Sequence, residues 1–478
     1  MEKHAPIRMY EMVEQDDCGH ESTEPQSSTT KSRIGRKRTM TKYVQNQHMI
    51  AGMAGLILLG AAGSAQATNG YFANGYGAGS KGMAGAGVAV PTGVLSLAQN
   101  PAFGNKVGNS AGFCLTTFAP SRSIDIDSTD SFGGFQALVP GKETSKNDYF
   151  FIPCGGANWR LNERMSLGFV VYGNGGMNTE YDTNIFDSSL LQFSGAPAGF
   201  SSSPLGVNLE QVFIGLNVSY QVNEQLSLGF APIYAVQRFS ATGLELFQSM
   251  SSDPANVTNN DDSWSRGWGF NVGLLYEPNA EWDIGISYRS RIWMSEFDRY
   301  SGLFAEQGDF DIPATLLIGA GYTPAADPRF TFTAEYQRIY YSQIKAIANG
   351  GTVIDPTDAL LGDDDGPGFG WKDMNIFRVG AVYRHDEKWT FRSGVSYASQ
   401  FIDDEEVLFN TLAPATIQWH ASVGATYAVN DNWKIHGAYT HAFSNSVSGR
   451  NETIPFNEQD IELQMSQNEF ILGASYSW

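Results

Sequence analysis

The chain has 478 residues, carries 30 basic against 50 acidic side chains for a net charge of −20, and holds 13% aromatic residues and 52 glycines. A surface this acidic repels nucleic acid, which is therefore not an expected partner. Apart from one short run near the N-terminus no long apolar segment exists, which excludes a helical membrane protein but leaves a β-barrel open, because barrel strands are short and individually weak in hydropathy.

Residues 1–67 read as a leader and signal peptide. Arg33, Arg36, Lys37, Arg38 and Lys42 form a basic stretch, Met49 to Leu59 an apolar core, and Ala65-Gln66-Ala67 a small-residue cleavage motif. The core is too short and glycine-rich for a bilayer-spanning helix, which takes about 20 predominantly apolar residues. Cleavage is expected after Ala67, so that the mature chain begins at Thr68. Residues 1–43 are polar and read either as an extended targeting leader or as the result of a start codon assigned too early, in which case Met40 is the start.

Residues 68–108, beginning TNGYFANGYGAGSKGMAGAG, read as a plug, since glycines let a chain turn sharply and pass close to a wall. Gly77 to Gly82 satisfies the dinucleotide pattern GxGxxG, but no strand precedes it and the match is set aside. Asn100-Pro101-Ala102 closes the plug, with Asn before Pro favouring a turn. Cys18 leaves with the leader. Cys114 and Cys154 remain in an exported chain, where a disulfide and two reduced thiols stand as equal alternatives. No Cys or His cluster has metal-ligand spacing, so neither metal nor cofactor is expected.

From residue 109 onward the side chains alternate with period two. Ile417, Trp419, Ala421, Val423, Ala425 and Tyr427 interleave with Gln418, His420, Ser422, Gly424 and Thr426; Phe470, Leu472, Ala474, Tyr476 and Trp478 do the same with Ile471, Gly473, Ser475 and Ser477. The pattern predicts fourteen strands near 109–119, 149–161, 165–176, 207–221, 225–240, 264–277, 281–297, 309–323, 329–342, 371–384, 388–400, 414–429, 432–445 and 467–478. Every even strand is followed by a short polar turn and every odd one by a longer segment. Two packed soluble sandwiches give no reason for that asymmetry. An all-β, fourteen-stranded antiparallel transmembrane barrel does, with turns and both termini periplasmic, loops outside the cell and the plug as a hatch in the lumen.

The glycine-rich start NGYFANGYGAGSKGMAGAG, the Asn100-Pro101-Ala102 triplet, YGNGGMNTEY at 172–181, GISYRS at 285–290, Ile312-Pro313-Ala314 and Trp371-Lys372-Asp373 together resemble the FadL/TodX (OmpP1) family of outer-membrane transporters for long-chain fatty acids and hydrocarbons. The resemblance implies a monomeric barrel occluded by an N-terminal hatch that Asn100, Pro101 and Ala102 anchor. It implies uptake of hydrophobic molecules by diffusion through a lateral opening.

Gly173, Gly175 and Gly176 interrupt the third strand and mark a kink, which the resemblance makes the lateral gate; a curvature adjustment at the rim is the alternative. The loop segments 241–252 and 298–306 carry Leu244, Leu246, Phe247, Met250, Tyr300, Leu303 and Phe304, expected to form an external ligand groove unless they pack on themselves. Arg289, Arg291, Arg378 and Lys434 point inward by parity and are candidates for an acid's head group. The acidic runs 363–365 and 403–406 read as solvated surface or as a cation bridge to lipopolysaccharide. A barrel enzyme is the competing class, and its histidines would be His420 and His436, facing each other across neighbouring strands with no serine marked out beside them. A general porin is the third, against which the plug counts. Expected partners are the hydrophobic solute, outer-membrane lipid and lipopolysaccharide, and the barrel-assembly machinery during biogenesis.

Overall fold

The computed structural model describes residues 69–130, 133–193, 199–202, 204–351, 359–450 and 458–478; the leader and its cleavage site lie outside them. Fourteen antiparallel strands form one continuous ladder: β1 Ser110–Ile126, β2 Phe150–Arg160, β3 Met165–Tyr181, β4 Leu205–Gln221, β5 Leu226–Thr242, β6 Ser263–Tyr276, β7 Trp282–Arg289, β8 Thr315–Tyr322, β9 Phe330–Ile339, β10 Met374–Arg384, β11 Trp389–Ala398, β12 Trp419–Ala428, β13 Trp433–Gly449 and β14 Ile461–Ser477. The last strand pairs with the first in unbroken register, from Ser110 opposite Ser477 to Ile126 opposite Ile461. Closure leaves no strand edge unpaired there, which is the condition for a sheet to exist in hydrocarbon. Two short ribbons lie outside the cylinder, Gly141–Thr144 against β1 and Trp293–Met294 against β6.

Alternation sorts the two faces. On β12 Trp419 and Val423 are exposed while His420, Ser422 and Thr426 are buried, and the same division runs around the barrel. Aromatic pairs ring the turn side, Trp282 on Tyr322, Trp389 on Tyr427 and Trp433 on Tyr476, with centroids 4.7, 4.8 and 5.1 Å apart. Exposed Trp264, Trp268, Trp293 and Trp419 ring the loop side. These are the girdles that a membrane-spanning barrel places at its two interfaces.

Five of the six short turns share one device. Asn162, Asn223, Asn279, Asp386 and Asn430 each accept hydrogen bonds through Oδ1 from the backbone N–H groups two and three residues ahead. The side chain thereby mimics a backbone turn and starts the next strand at a fixed register.

Strand boundaries depart from the sequence-based ones in both directions. β1, β3 and β14 extend five or more residues further toward the loop side than 109–119, 165–176 and 467–478. Past the bilayer their outward positions turn polar, as at Ser121, Asp125 and Glu462, so the hydrophobic alternation fades while the ladder continues. Conversely β7 stops at Arg289 and β8 begins at Thr315. The chain between them folds over the lumen, held by Phe239, Phe297, Phe304 and Phe310 in mutual ring contact.

Cys114 on β1 lies directly opposite Cys154 on β2, with their Cα atoms 5.0 Å apart and the sulfurs bonded. A crosslink closing 40 residues is worth about 4 kcal/mol in the chain-entropy account. Cys154→Ala should therefore lower the temperature at which the barrel unfolds on gels, and native protein treated with a thiol reagent after denaturation without reductant should gain no label. Labelling at both positions would show the thiols to be free.

Candidate functional site

The segment Asn69–Val107 lies within the cylinder and is almost wholly buried. It consists of a short helix (Gly77–Lys81), two 3-10 turns (Val94–Ala98 and Pro101–Phe103) and a last helical turn (Gly104–Val107). Its backbone rests directly on the wall because the wall carries glycine where it touches. A Cβ at Gly229 would stand 2.1 Å from the Pro101 carbonyl carbon, one at Gly285 2.0 Å from the Val88 oxygen, and one at Gly394 2.4 Å from the Met83 carbonyl carbon. Inward-facing glycine along several strands is therefore a sequence signature of the plug's seat, one that a strand-by-strand reading passes over.

Asn100 is the corner of that seat. Its Oδ1 accepts from Ala102 N at 3.0 Å, capping the turn that Pro101 opens, and its Nδ2 donates to Val88 O at 2.8 Å within the plug and to Leu274 O at 3.1 Å in β6. Ser219 of β4 donates to Pro101 O and accepts from Gly104 N.

One buried ion pair joins the plug to the wall, and a second, within the wall, holds it through backbone amides. Lys81 pairs with Glu469 of β14. Glu335 of β9 accepts from the N–H groups of Gly87 and Val88 at 2.9 and 2.8 Å, and its other oxygen takes Arg378 of β10 at 2.9 Å. Arg378 donates further to Gln337 and to Asn74 of the plug. With every arm so engaged, Arg378 is a structural link and not a free head-group partner.

Among the described residues the wall has one gap. β2 pairs with β3 only from Arg160 opposite Ser166 to Gly155 opposite Val171, so Phe150–Cys154 and the stretch beyond Tyr172 face each other without ladder bonds. At the same level the β3–β4 register shifts between Gly173 and Gly175. The N-terminus of the plug fills the space. Ala73 N donates to Asn174 O at 2.8 Å, Gly176 N donates to Tyr71 O at 2.9 Å, and Phe72 bridges Gly175. Gly175 has no room for a side chain, since a Cβ there would lie 1.7 Å from Tyr71 O. Above the gap Lys146 N meets Glu180 O at 2.9 Å and closes it toward the loops. The three glycines thus sit at the edge of a window plugged by Tyr71–Ala73.

Arg289 borders the same region. Its guanidinium lies 5.0 Å from the ring centroids of both Phe72 and Phe213 and donates to Asn174 Oδ1 at 2.8 Å, tying plug, kink and wall together. Arg291 does not point into the lumen. β7 has ended two residues earlier, so parity no longer applies, and the side chain pairs with Asp309 and Asp311 among the loops. Burial, and then the neighbouring Asp311, push the Asp309 carboxyl up to about 7. Lys434 lies inside the turn-side mouth and makes no ion pair among the described residues.

On the loop side an apolar crevice is lined by Leu303 and Phe304, together with Phe239, Leu361, Phe369 and Phe409. Leu244, Phe247 and Met250 do not line it. Leu244 and Phe247 are buried beneath, with Phe247 packed on Phe186 and Phe409 at 4.9 and 5.3 Å, while Met250 joins the sheet-like contact to Leu361 through its backbone. Tyr300 is buried too, its hydroxyl donating to Asp261 O. The missed lining residues come from strands β4 and β5 and from loops as far along as Leu412, which only chain folding brings together. The crevice is narrow, about 30 Å³, so accepting an acyl chain requires the loops to part.

His420 and His436 do not face each other. On β12 and β13 the register sets His420 against Ala442 and His436 against Thr426, six residues apart along the strand. His420 contacts Ser396 at 3.2 Å in a wholly buried spot, and among the described residues no carboxylate is a hydrogen-bond partner of either ring. Of the acidic runs, Asp365 pairs with Lys345 and Asp403 with Lys372.

A closed fourteen-stranded barrel with aromatic girdles, an apolar outer belt and its own N-terminal segment within the lumen defines a transport protein of the outer membrane. The chain belongs to the outer membrane protein transport protein family (OMPP1/FadL/TodX), whose model matches residues 58–478. It is 23% identical over 358 residues to the long-chain fatty acid transport protein of Salmonella typhi, covering 66% of this chain and 74% of that one. Its fold is similar to the Pseudomonas putida toluene transporter TodX, with a TM-score of 0.62 and 17% identity, and to a Pseudomonas aeruginosa FadL homologue, with a TM-score of 0.63 and 17% identity; in each case 85% of this chain and 99% of the other is covered.

Proposed function

We propose that this chain admits long-chain fatty acids or kindred hydrophobic molecules across the outer membrane by facilitated diffusion, with the loops outside, the turns and both termini periplasmic, and the barrel acting as a monomer. The solute is captured between the loops at Leu303 and Phe304, the plug rearranges, and the solute leaves sideways into the bilayer through the window beside Gly173, Gly175 and Gly176. The observation that carries this reading is the interrupted β2–β3 ladder, occupied by the plug itself. An apolar solute gains nothing by crossing to water below the plug, whereas a side window delivers it to hydrocarbon. Capture needs no catalysis, because a dozen methylenes contribute about 10 kcal/mol gross on burial, before association entropy is subtracted. Outer-membrane lipid and lipopolysaccharide surround the barrel in this scheme, and the barrel-assembly machinery inserts it.

An aromatic or alkane channel of the same family is the second reading, favoured by the aromatic lining of the crevice. Uptake of labelled oleate and labelled toluene by a deletion strain, with and without the chain restored, separates the two. Leu303→Asp should weaken capture of the transported solute about tenfold, because it removes an apolar side chain whose burial is worth roughly 1.5 kcal/mol or more and puts a charge in its place. Unchanged binding would move the entry site elsewhere.

A further inference from the structure

The turn-side mouth holds a cavity of about 310 Å³ beneath the plug, bounded by β10–β14 and by the plug residues Val90–Val94. Four cationic side chains line it, Arg384, Lys388, Arg392 and Lys434, and none makes an ion pair among the described residues, although the chain as a whole carries a charge of −20. A fifth cation, Lys106, is already neutralised by Glu277, and Glu387 is the single carboxylate on the lining. Arg392 is held to Thr426 Oγ1 at 2.7 Å while its Nε is buried without an acceptor. Arg384, Lys388 and Lys434 are solvent-exposed and Arg384 also donates to Thr331 Oγ1, so the four like charges do not strain the cavity but give it a positive potential that favours an anion. The remaining lining is amphipathic, hydroxyls such as Ser475 and Ser477 beside Val90, Val94 and Val382. A small inorganic ion has no use for that apolar wall, and the volume matches an organic ligand.

We propose that this vestibule is a carboxylate-binding site that receives the ionised head group of an organic acid together with the first part of its apolar tail. The site rests on the transport reading, since its ligand arrives through the barrel, and it adds to it a second way out. Solutes still leave by the window, and acids can in addition be held at the turn side, where their charge is met.

Calorimetric titration of the purified full-length chain in nonionic detergent with decanoate, decan-1-ol and inorganic phosphate tests this. Replacing two charge-assisted partners in Arg384→Gln/Lys434→Gln should weaken decanoate binding tenfold or more and leave decan-1-ol binding unchanged. Leu303→Asp, which alters the loop crevice, should leave the charge-dependent component intact. Lys388→Gln/Lys434→Gln serves as a second variant should the first fail to assemble into a heat-modifiable barrel. Equal decanoate affinity in native and substituted proteins overturns the proposal. So does phosphate binding as tightly as decanoate, which would make the vestibule a site for small inorganic anions. Unchanged uptake of all solutes in the deletion strain, with decanoate binding by the purified chain intact, would count against the transport reading instead.

Discussion

Glu335→Gln should open the barrel to small polar solutes. Glu335 and Arg378 are both fully buried, and the carboxylate holds the Gly87 and Val88 amides of the plug as well as the guanidinium. Neutralising it leaves Arg378 charged without its counter-ion, a change that costs about 3–5 kcal/mol when one partner of a buried pair is removed. The strands do not depend on this contact, because their ladders close independently of it. The strain is relieved by the plug, whose closed state loses ground to open ones by a factor on the order of 100 for each 2.8 kcal/mol. Single-channel conductance in planar bilayers should rise from near zero to frequent openings, while the heat-modifiable band on gels stays in place. Glu335→Gln/Arg378→Gln should be less leaky than Glu335→Gln alone, since the stranded charge is gone. A quiet Glu335→Gln channel would mean that the plug is held elsewhere, with the Lys81–Glu469 pair the next to test.

Gly175→Val should have the opposite signature, a tenfold or greater loss of uptake of a labelled apolar solute with no leak. Valine is a strand former that disfavours a kink and would by itself tend to straighten the strand. The structure gives a more direct cause: the new Cβ would stand 1.7 Å from the Tyr71 carbonyl oxygen and 2.8 Å from its carbon, which are backbone atoms that cannot rotate away. Tyr71–Ala73 must leave its place and the valine then occupies the window, while both buried ion pairs still hold the body of the plug. Binding at Leu303 and Phe304, on the loop side, should persist. A variant that assembles and transports at the native rate removes the lateral exit from the scheme and leaves exit past the plug toward the turn side as the better account.

Period-two alternation and the one-sided distribution of turns were enough to define the barrel, its strand number and its closed order, because a sheet with lipid on one face and a filled lumen on the other imposes polarity residue by residue. The plug was legible for a similar local reason, glycine density ahead of the first strand. What the plug touches was not. Arg378 reads by parity as an inward cation, and only the register of β9 against β10 places Glu335 beside it and commits both to the plug. Arg291 reads as inward until the end of β7 two residues earlier removes the parity on which that reading depends. The loop crevice eluded the sequence because its lining comes from segments as distant as Phe239 and Phe409, and hydrophobicity in a loop does not say which side chains face the opening and which pack beneath it. Gly173, Gly175 and Gly176 announced a kink, but that the kink coincides with the place where β2 lets go of β3, and that Tyr71–Ala73 fills the breach, depends on pairings between segments far apart in the chain. Local sequence dictates which face of a strand is apolar; which lumenal groups meet is decided by strand register and by the path of the plug, and both are properties of the closed barrel as a whole.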